Sequence, residues 1–141
     1  MKLLDLNLLI YTVNEDTAHH NAAKSWIETQ FNGTESIGIP WIVVLGFLRI
    51  MTNGKIFPTP LSEETAIELI DAWLQHPLIT IPEPGANHWS LVKELILETG
   101  TAGNLTSDIH LAAIAIEHGA KLFTLDADFS RFKGLRWEKP F

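Results

Sequence analysis

The chain has no cysteine among its 141 residues. Disulfides, thiolate nucleophiles, iron–sulfur clusters and Cys-ligated zinc are therefore excluded together, and any metal must be bound through oxygen or imidazole. Positive charge is scarce: 10 Lys and Arg stand against 17 Asp and Glu, a formal net charge of −7. That balance argues against a protein that holds nucleic acid by spreading cations along phosphates. Long apolar runs are missing too. The most apolar stretch, residues 37–48, carries Pro40 and is too short to span a bilayer. At the N-terminus, Asp5 and Asn7 break the apolar run before a signal-peptide core can form. These features read as a cytoplasmic protein with no membrane contact. Hydrophobic residues at 46% and charged residues at 19% fall in the globular range, and the length suits a single domain over 1–141.

Motifs of several enzyme classes are also absent. There is no Gly-x-Ser-x-Gly, P-loop or Gly-x-Gly-x-x-Gly, and the six histidines form no metal-binding spacing. His110 alone lies near an acid of interest, and with no nucleophile beside it in sequence it reads as a surface or structural residue. The five tryptophans, at 26, 41, 73, 89 and 137, fall mostly on helical stripes and read as core. The scarce cations are unevenly placed. Residues 121–141 hold Lys121, Arg131, Lys133, Arg136 and Lys139 against Asp126, Asp128 and Glu138, a local balance of +2. Such a tail is either a solvated face or an edge that meets a polyanion or a partner.

What is present is an alternation of short apolar runs and helical stripes. Apolar runs at 2–5, 36–39, 78–81, 121–125 and 135–137, each bounded by turn formers, predict strands. Ala66, Leu69, Ile70 and Trp73 make a helical stripe, with Ser62 as N-cap and Glu63 and Glu64 in the first turn. A second helix is predicted over 87–99, with Gly100 as a left-handed terminator, and a third over 108–118, with Ile109, Ala112, Ala113 and Ile116 on one face and Gly119 beyond. Residues 19–31 look helical as well. Residues 40–51 are apolar nearly all round except at Arg49, which predicts a fully buried helix. Strands alternating with helices predict an α/β fold: a short, mostly parallel sheet flanked by helices on both faces.

Two predicted strands end in acid, at Asp5 and at Asp126-Ala127-Asp128, and Asp108 opens a predicted helix. Ligands of open α/β sheets bind outside the carboxyl ends of the strands, so these acids converge if their strands are neighbours. Carboxylates gathered at one point repel unless protonated or neutralised, and a hard divalent cation, Mg2+ or Mn2+, neutralises them economically. Such a cluster suits phosphodiester hydrolysis. Each acid also has an ordinary explanation, because Asp5 and Asp126 can cap the segments that follow them, and Asp108 in a first helical turn meets the helix dipole favourably.

The order and context of these acids resemble the PIN-domain ribonucleases, and within them the VapC-type toxins of bacterial toxin–antitoxin modules. The resemblance rests on Leu4-Asp5-Leu6-Asn7, on Ser107 to Ala115 followed by Glu117-His118-Gly119, and on Phe123 to Phe129, with Ile39-Pro40-Trp41 and Gly46 to Arg49 pointing to one branch. It implies a PIN-like fold and Mg2+ held by Asp5 and Asp108, supported by Asp126 and by Asp128. Asn7 and Thr124 would orient carboxylates or water. It further implies an RNA substrate cut to leave a 5′-phosphate, a homodimer, and a VapB-type antitoxin partner. One departure stands out: many members carry a glutamate in the segment where this chain has Gly46. Either the aspartates suffice, or metal affinity is weakened, or the domain only binds. A glycine there costs a helix about 1 kcal/mol relative to Ala, which points to packing or close backbone approach. Arg49 would pair with an acid, touch substrate phosphate, or make a buried ion pair. The rival readings are a catalytically silent module that binds an antitoxin or RNA, and a small-substrate phosphohydrolase.

Overall fold

The computed structural model describes residues 1–141. In chain order its elements are β1 (Lys2–Leu4), α1 (Leu6–Val13), α2 (His20–Phe31), β2 (Ile37–Gly38), α3 (Trp41–Met51) and α4 (Glu63–Leu74), then β3 (Ile79–Thr80), α5 (His88–Thr99), α6 (Thr106–Glu117), β4 (Lys121–Phe123) and β5 (Trp137–Glu138). All five strands pair in parallel in the order β3-β2-β1-β4-β5. The predicted α/β class and parallel sheet are thus observed, with strands a residue or two shorter than the apolar runs. The run ends are spent on turns: Asp5, for example, leaves the ladder to cap α1.

The strand order fixes where the helices go. Steps from β1 to β2 to β3 run one way and the step from β3 to β4 runs back, so right-handed crossovers put α1–α4 on one face and α5 and α6 on the other. Leu3, Leu4, Ile37 and Leu122 are buried between these layers, together with Leu8, Leu9, Phe47 and Ile109 from the helices. The terminators behave as the sequence predicts: Ser62 Oγ accepts from the Thr65 N–H at 3.1 Å, and Gly100 and Gly119 adopt φ of 72° and 62°. No helix is long and apolar enough to cross a membrane.

Four features differ from the sequence expectations. Helix α1 was not anticipated as an element beyond Asp5 as a possible cap, because Leu6, Leu8, Leu9 and Ile10 crowd around Asn7 without a helical stripe. Helices α3 and α6 exchange roles. α3, expected to be fully buried, packs against α1 and α4 but leaves Trp41 and Leu45 45% and 58% exposed, with Arg49 outward on the same line. α6, expected to be half-buried, is enclosed at Ile109 and from Leu111 to Ala115. Alanine at 112, 113 and 115 lets neighbours approach α6 from several sides, which a stripe of large residues would not. The tryptophans divide: Trp73 is buried, Trp26 packs on Phe123 at a centroid distance of 5.0 Å, and Trp41 and Trp89 are exposed. Arg49 makes no ion pair, so neither a partner among the acids nor a buried pair is found for it.

Phe47 is fully buried on α3 and meets Trp73 of α4 edge-on at 4.8 Å between centroids. Phe47→Ala is expected to cost about 3–5 kcal/mol in urea unfolding, whereas Ser62→Ala, losing only an exposed cap, is expected to cost about 1 kcal/mol.

Candidate active site

β1 and β4 are neighbours, so their carboxyl ends bring Asp5 and Thr124 side by side. Asp5 follows β1 directly, and its N–H still donates to the Phe123 carbonyl (3.1 Å). Its Oδ1 accepts from the Leu6 N–H (2.7 Å), which is the helix cap read from the sequence. Its Oδ2 accepts from the Thr124 hydroxyl at 2.6 Å. Thr124 is the only buried polar side chain, at 0% exposure. A hydroxyl has one proton to give; given to Asp5, it leaves Oγ1 to accept, from Asn7 Nδ2 at 3.2 Å and from the Asp126 N–H at 3.0 Å. That order of donors also fixes the Asn7 amide: its nitrogen faces Thr124, and its Oδ1 is buried without a partner.

Asp126 turns the chain into the short 3-10 segment at 127–131, accepting from the Asp128 N–H at 2.9 Å, while Asp128 stands 3.5 Å from Arg131 Nη2. Asp108 enters from α6, on the opposite face of the sheet from α1. Asp5 and Asp108 line one cleft of about 90 Å³ with Leu6, Ile42, Val43, Ser107 and Leu111. Asp5 and Asp126 therefore both cap the segments that follow them, and Asp5 shares its cleft with Asp108.

The carboxyls feel one another. Burial raises the pKa of Asp5, the hydrogen bonds from Thr124 and Leu6 pull it back, and the charge of Asp126 raises it again. Asp108 is pushed up to about 6, first by burial and then by Asp5, Asp126 and Asp128, with Arg131 opposing. Four acids thus share one field, yet no three His, Asp or Glu side chains close on a single point that would hold an ion. The donor set is carboxylate plus the unpartnered Asn7 oxygen, all hard ligands. It fits a hard cation that takes one or two carboxylates directly and completes its shell with water.

Other residues fall away from this centre. His110 Nδ1 lies 2.9 Å from His88 Nε2, and burial, with the neighbouring His88, lowers its pKa; it is a structural link between α5 and α6. Glu117, at the far end of α6, accepts from the Gly85 and Asn87 N–H groups (2.7 and 3.0 Å), which hold it below the usual carboxylate range and anchor the turn into α5. Gly46 is buried, and a Cβ there would lie 2.8 Å from Leu6 Cδ2, the tip of a flexible side chain, so any larger residue on α3 at this point requires Leu6 to shift. The largest cavity, about 380 Å³, is lined by Val13, Met51 and Phe57 at the other end of α1 and α3. The site is identified by its chemistry and not by size. Thr124 and Asn7 were marked in the sequence only through the family resemblance, as residues that orient carboxylates or water; composition and spacing gave no sign of them, because their contacts depend on β1 and β4 being adjacent.

A parallel α/β domain in which the acid-tipped end of the central strand and the start of one helix meet in a cleft is the class that fold and site define. The PIN domain family model matches residues 2–135. Over 140 residues the chain is 37% identical to Ribonuclease VapC37 of Mycobacterium tuberculosis, covering 99% of this chain and 97% of that one. It is 36% identical to Ribonuclease VapC33 of the same species, covering 99% and 98%. Among solved structures, VapBC2 from Rickettsia felis bound to a promoter DNA fragment superimposes with a TM-score of 0.72 at 22% identity, covering 98% of this chain and 97% of that one. The chain belongs to the PIN-domain family, in its VapC branch.

Two outcomes are expected from this geometry. Thr124→Val strands three polar partners and should cost about 2–3 kcal/mol in chemical unfolding. For Asp108, the folded state binds its proton more tightly than the unfolded state, so between pH 3.8 and about 6 the native form carries more protons and stability falls as pH rises. Asp108→Asn should therefore be stabilising at pH 7.5 by about 1 kcal/mol, after discounting for solvent screening of a partly exposed group, and neutral near pH 4. Thermal unfolding in chelator reads this as roughly 2–4 °C.

Proposed function

We propose that this chain is the ribonuclease toxin of a type II toxin–antitoxin pair, an endonuclease that hydrolyses RNA phosphodiesters with the help of Mg2+, or Mn2+ in its place. The observation that carries the reading is the cleft in which Asp5 and Asp108 meet, with Asp126 and Asp128 in the same field. The relatives named as ribonucleases support the substrate class, and the cytoplasm is where such an enzyme meets its RNA.

In this mechanism Asp5 and Asp108 would hold the ion, and Asp126 and Asp128 would orient water at the rim. The divalent ion supplies Lewis acidity toward the phosphoryl oxygens and makes water more acidic. Thr124 and Asn7 keep Asp5 in one orientation, and the Asp126–Asp128 turn keeps a carboxylate facing the rim. Water adds to phosphorus, the P–O3′ bond breaks, and the products are a 5′-phosphate and a 3′-hydroxyl. The net charge of −7 is no obstacle, since an enzyme that turns over need not bind tightly. Gly46 removes one acid from the family's usual set, and the reading assigns its share of the field to the aspartates.

The partners follow the same reading: a VapB-type antitoxin and a second copy of the chain. Solved structures of this fold include toxin–antitoxin complexes such as VapBC from Salmonella typhimurium with DNA. Exposed Trp41 and Leu45 on α3, and Trp89 and Leu97 on α5, are apolar surface of the kind that partners cover.

Purified chain incubated with a broad pool of structured RNAs should cut in Mg2+ or Mn2+ and not in chelator. Asp5→Ala and Asp108→Ala should each lose more than about a hundredfold, beyond the usual effect of outer-shell changes. Folded protein that leaves every RNA intact overturns the nuclease reading in favour of a module that binds without cutting.

A further inference from the structure

The carboxyl ends of the strands gather acids, and their opposite ends gather the reverse charge. Lys2 of β1 and Lys121 of β4 are register partners. The next pair along, Leu122 with Trp137, places Arg136 beside Lys121, and the Leu122 N–H donates to the Arg136 carbonyl at 2.9 Å. Three cations thus stand in one row across three adjacent strands of a chain whose net charge is −7. Like charges directly opposite one another destabilise a sheet unless something compensates them.

The row lines a cavity of about 160 Å³, together with Glu35, Gly119 and Phe123. Each cation is held in place by a neighbour. Lys2 Nζ donates to Gln30 Oε1 and lies 5.9 Å over the Phe123 ring; Lys121 Nζ is 2.9 Å from Glu138 Oε2; Arg136 Nη2 donates to the Gly119 carbonyl. A guanidinium has five N–H donors, so Arg136 keeps others free after this bond. The carboxylate on the cavity wall is Glu35, in the bend before β2. Its Oε1 is 3.9 Å from Lys2 Nζ and its Oε2 is 3.4 Å from the Met1 amine, with the side chain 52% exposed. An exposed pair at that distance is weakly held and easily exchanged for a better anion.

We propose that this cationic row is a phosphate-binding subsite, in which Lys2, Lys121 and Arg136 take one phosphate group and displace Glu35. The cavity lies at the amino ends of the strands, apart from the acid cleft, so its occupation does not depend on the cleavage chemistry. It also accounts for the basic tail: Lys121 and Arg136 face this cavity, while Arg131 is turned to Asp128. The same chemistry serves two sources, a backbone phosphate of an RNA strand or a free or nucleotide phosphate.

Inorganic phosphate, and separately a single-stranded RNA of about ten nucleotides, are titrated into the 15N-labelled full chain in EDTA, so that no divalent ion bridges phosphate to the acids. The amide signals of Lys2, Gly119 and Lys121 should move with phosphate. Lys121→Gln and Arg136→Gln should each weaken binding about threefold or more, and Glu35→Gln should tighten it by a similar factor. RNA that moves the same signals and competes with phosphate identifies the strand backbone as the source; phosphate acting alone identifies the free group. Shifts absent from these residues for both probes, or affinities unchanged in all three variants, overturn the proposal. Neither result bears on RNA cleavage in Mg2+, which fails or succeeds on its own.

Discussion

The Thr124 hydroxyl passes its one proton to Asp5, and the carboxyl rim is organised around that choice. With the proton spent, Thr124 Oγ1 must accept, which sets the Asn7 amide and receives the first N–H of the Asp126 turn. One buried side chain therefore joins the end of β1, the start of α1 and the exit from β4. A buried polar network is costly if any member is left unpaired and rigid when all are paired. Here a single open valence remains, the Asn7 carbonyl oxygen.

Around that network the protein keeps charges of one sign together. Burial, and then the neighbouring carboxylates, raise the proton affinity of Asp5 and Asp108, a perturbation of the kind that clusters at functional sites. The sheet separates this field from the Lys2–Lys121–Arg136 row. Lys2 opens β1 and Asp5 follows it three residues later, so the two ends lie about 10 Å apart. Acids at one end and cations at the other give an acidic chain two faces of different chemistry. The formal net charge conceals both.

Close packing explains the residue that departs from the family pattern. Gly46 lets α3 approach α1 until Leu6 fills the space of its side chain, and Leu6 also lines the acid cleft. Packing and chemistry meet at that leucine: its backbone N–H caps onto Asp5 while its side chain forms the cleft wall. An acid at position 46 would have to displace it.

Strand runs, helix stripes, Ser62, Gly100 and Gly119 were legible in the sequence because each is a local signal: periodicity, an N-cap, a left-handed terminator. Strand-end placement made Asp5 and Asp126 candidates, and the absence of cysteine limited any metal to hard or imidazole ligands. The sequence alone could not order the sheet, since which strands pair is decided by how helices cover both faces. Only that order puts β4 beside β1, and so Thr124 beside Asp5 and Lys121 beside Lys2. Helix exposure was likewise a tertiary outcome. α3 is apolar nearly all round and α6 carries one apolar face, yet small alanines together with flanking neighbours decided that α6 would be enclosed and α3 would show Trp41 and Leu45 to solvent. Local propensity wrote the elements; long-range contact chose their neighbours, and the chemistry of the two rims followed from those neighbours.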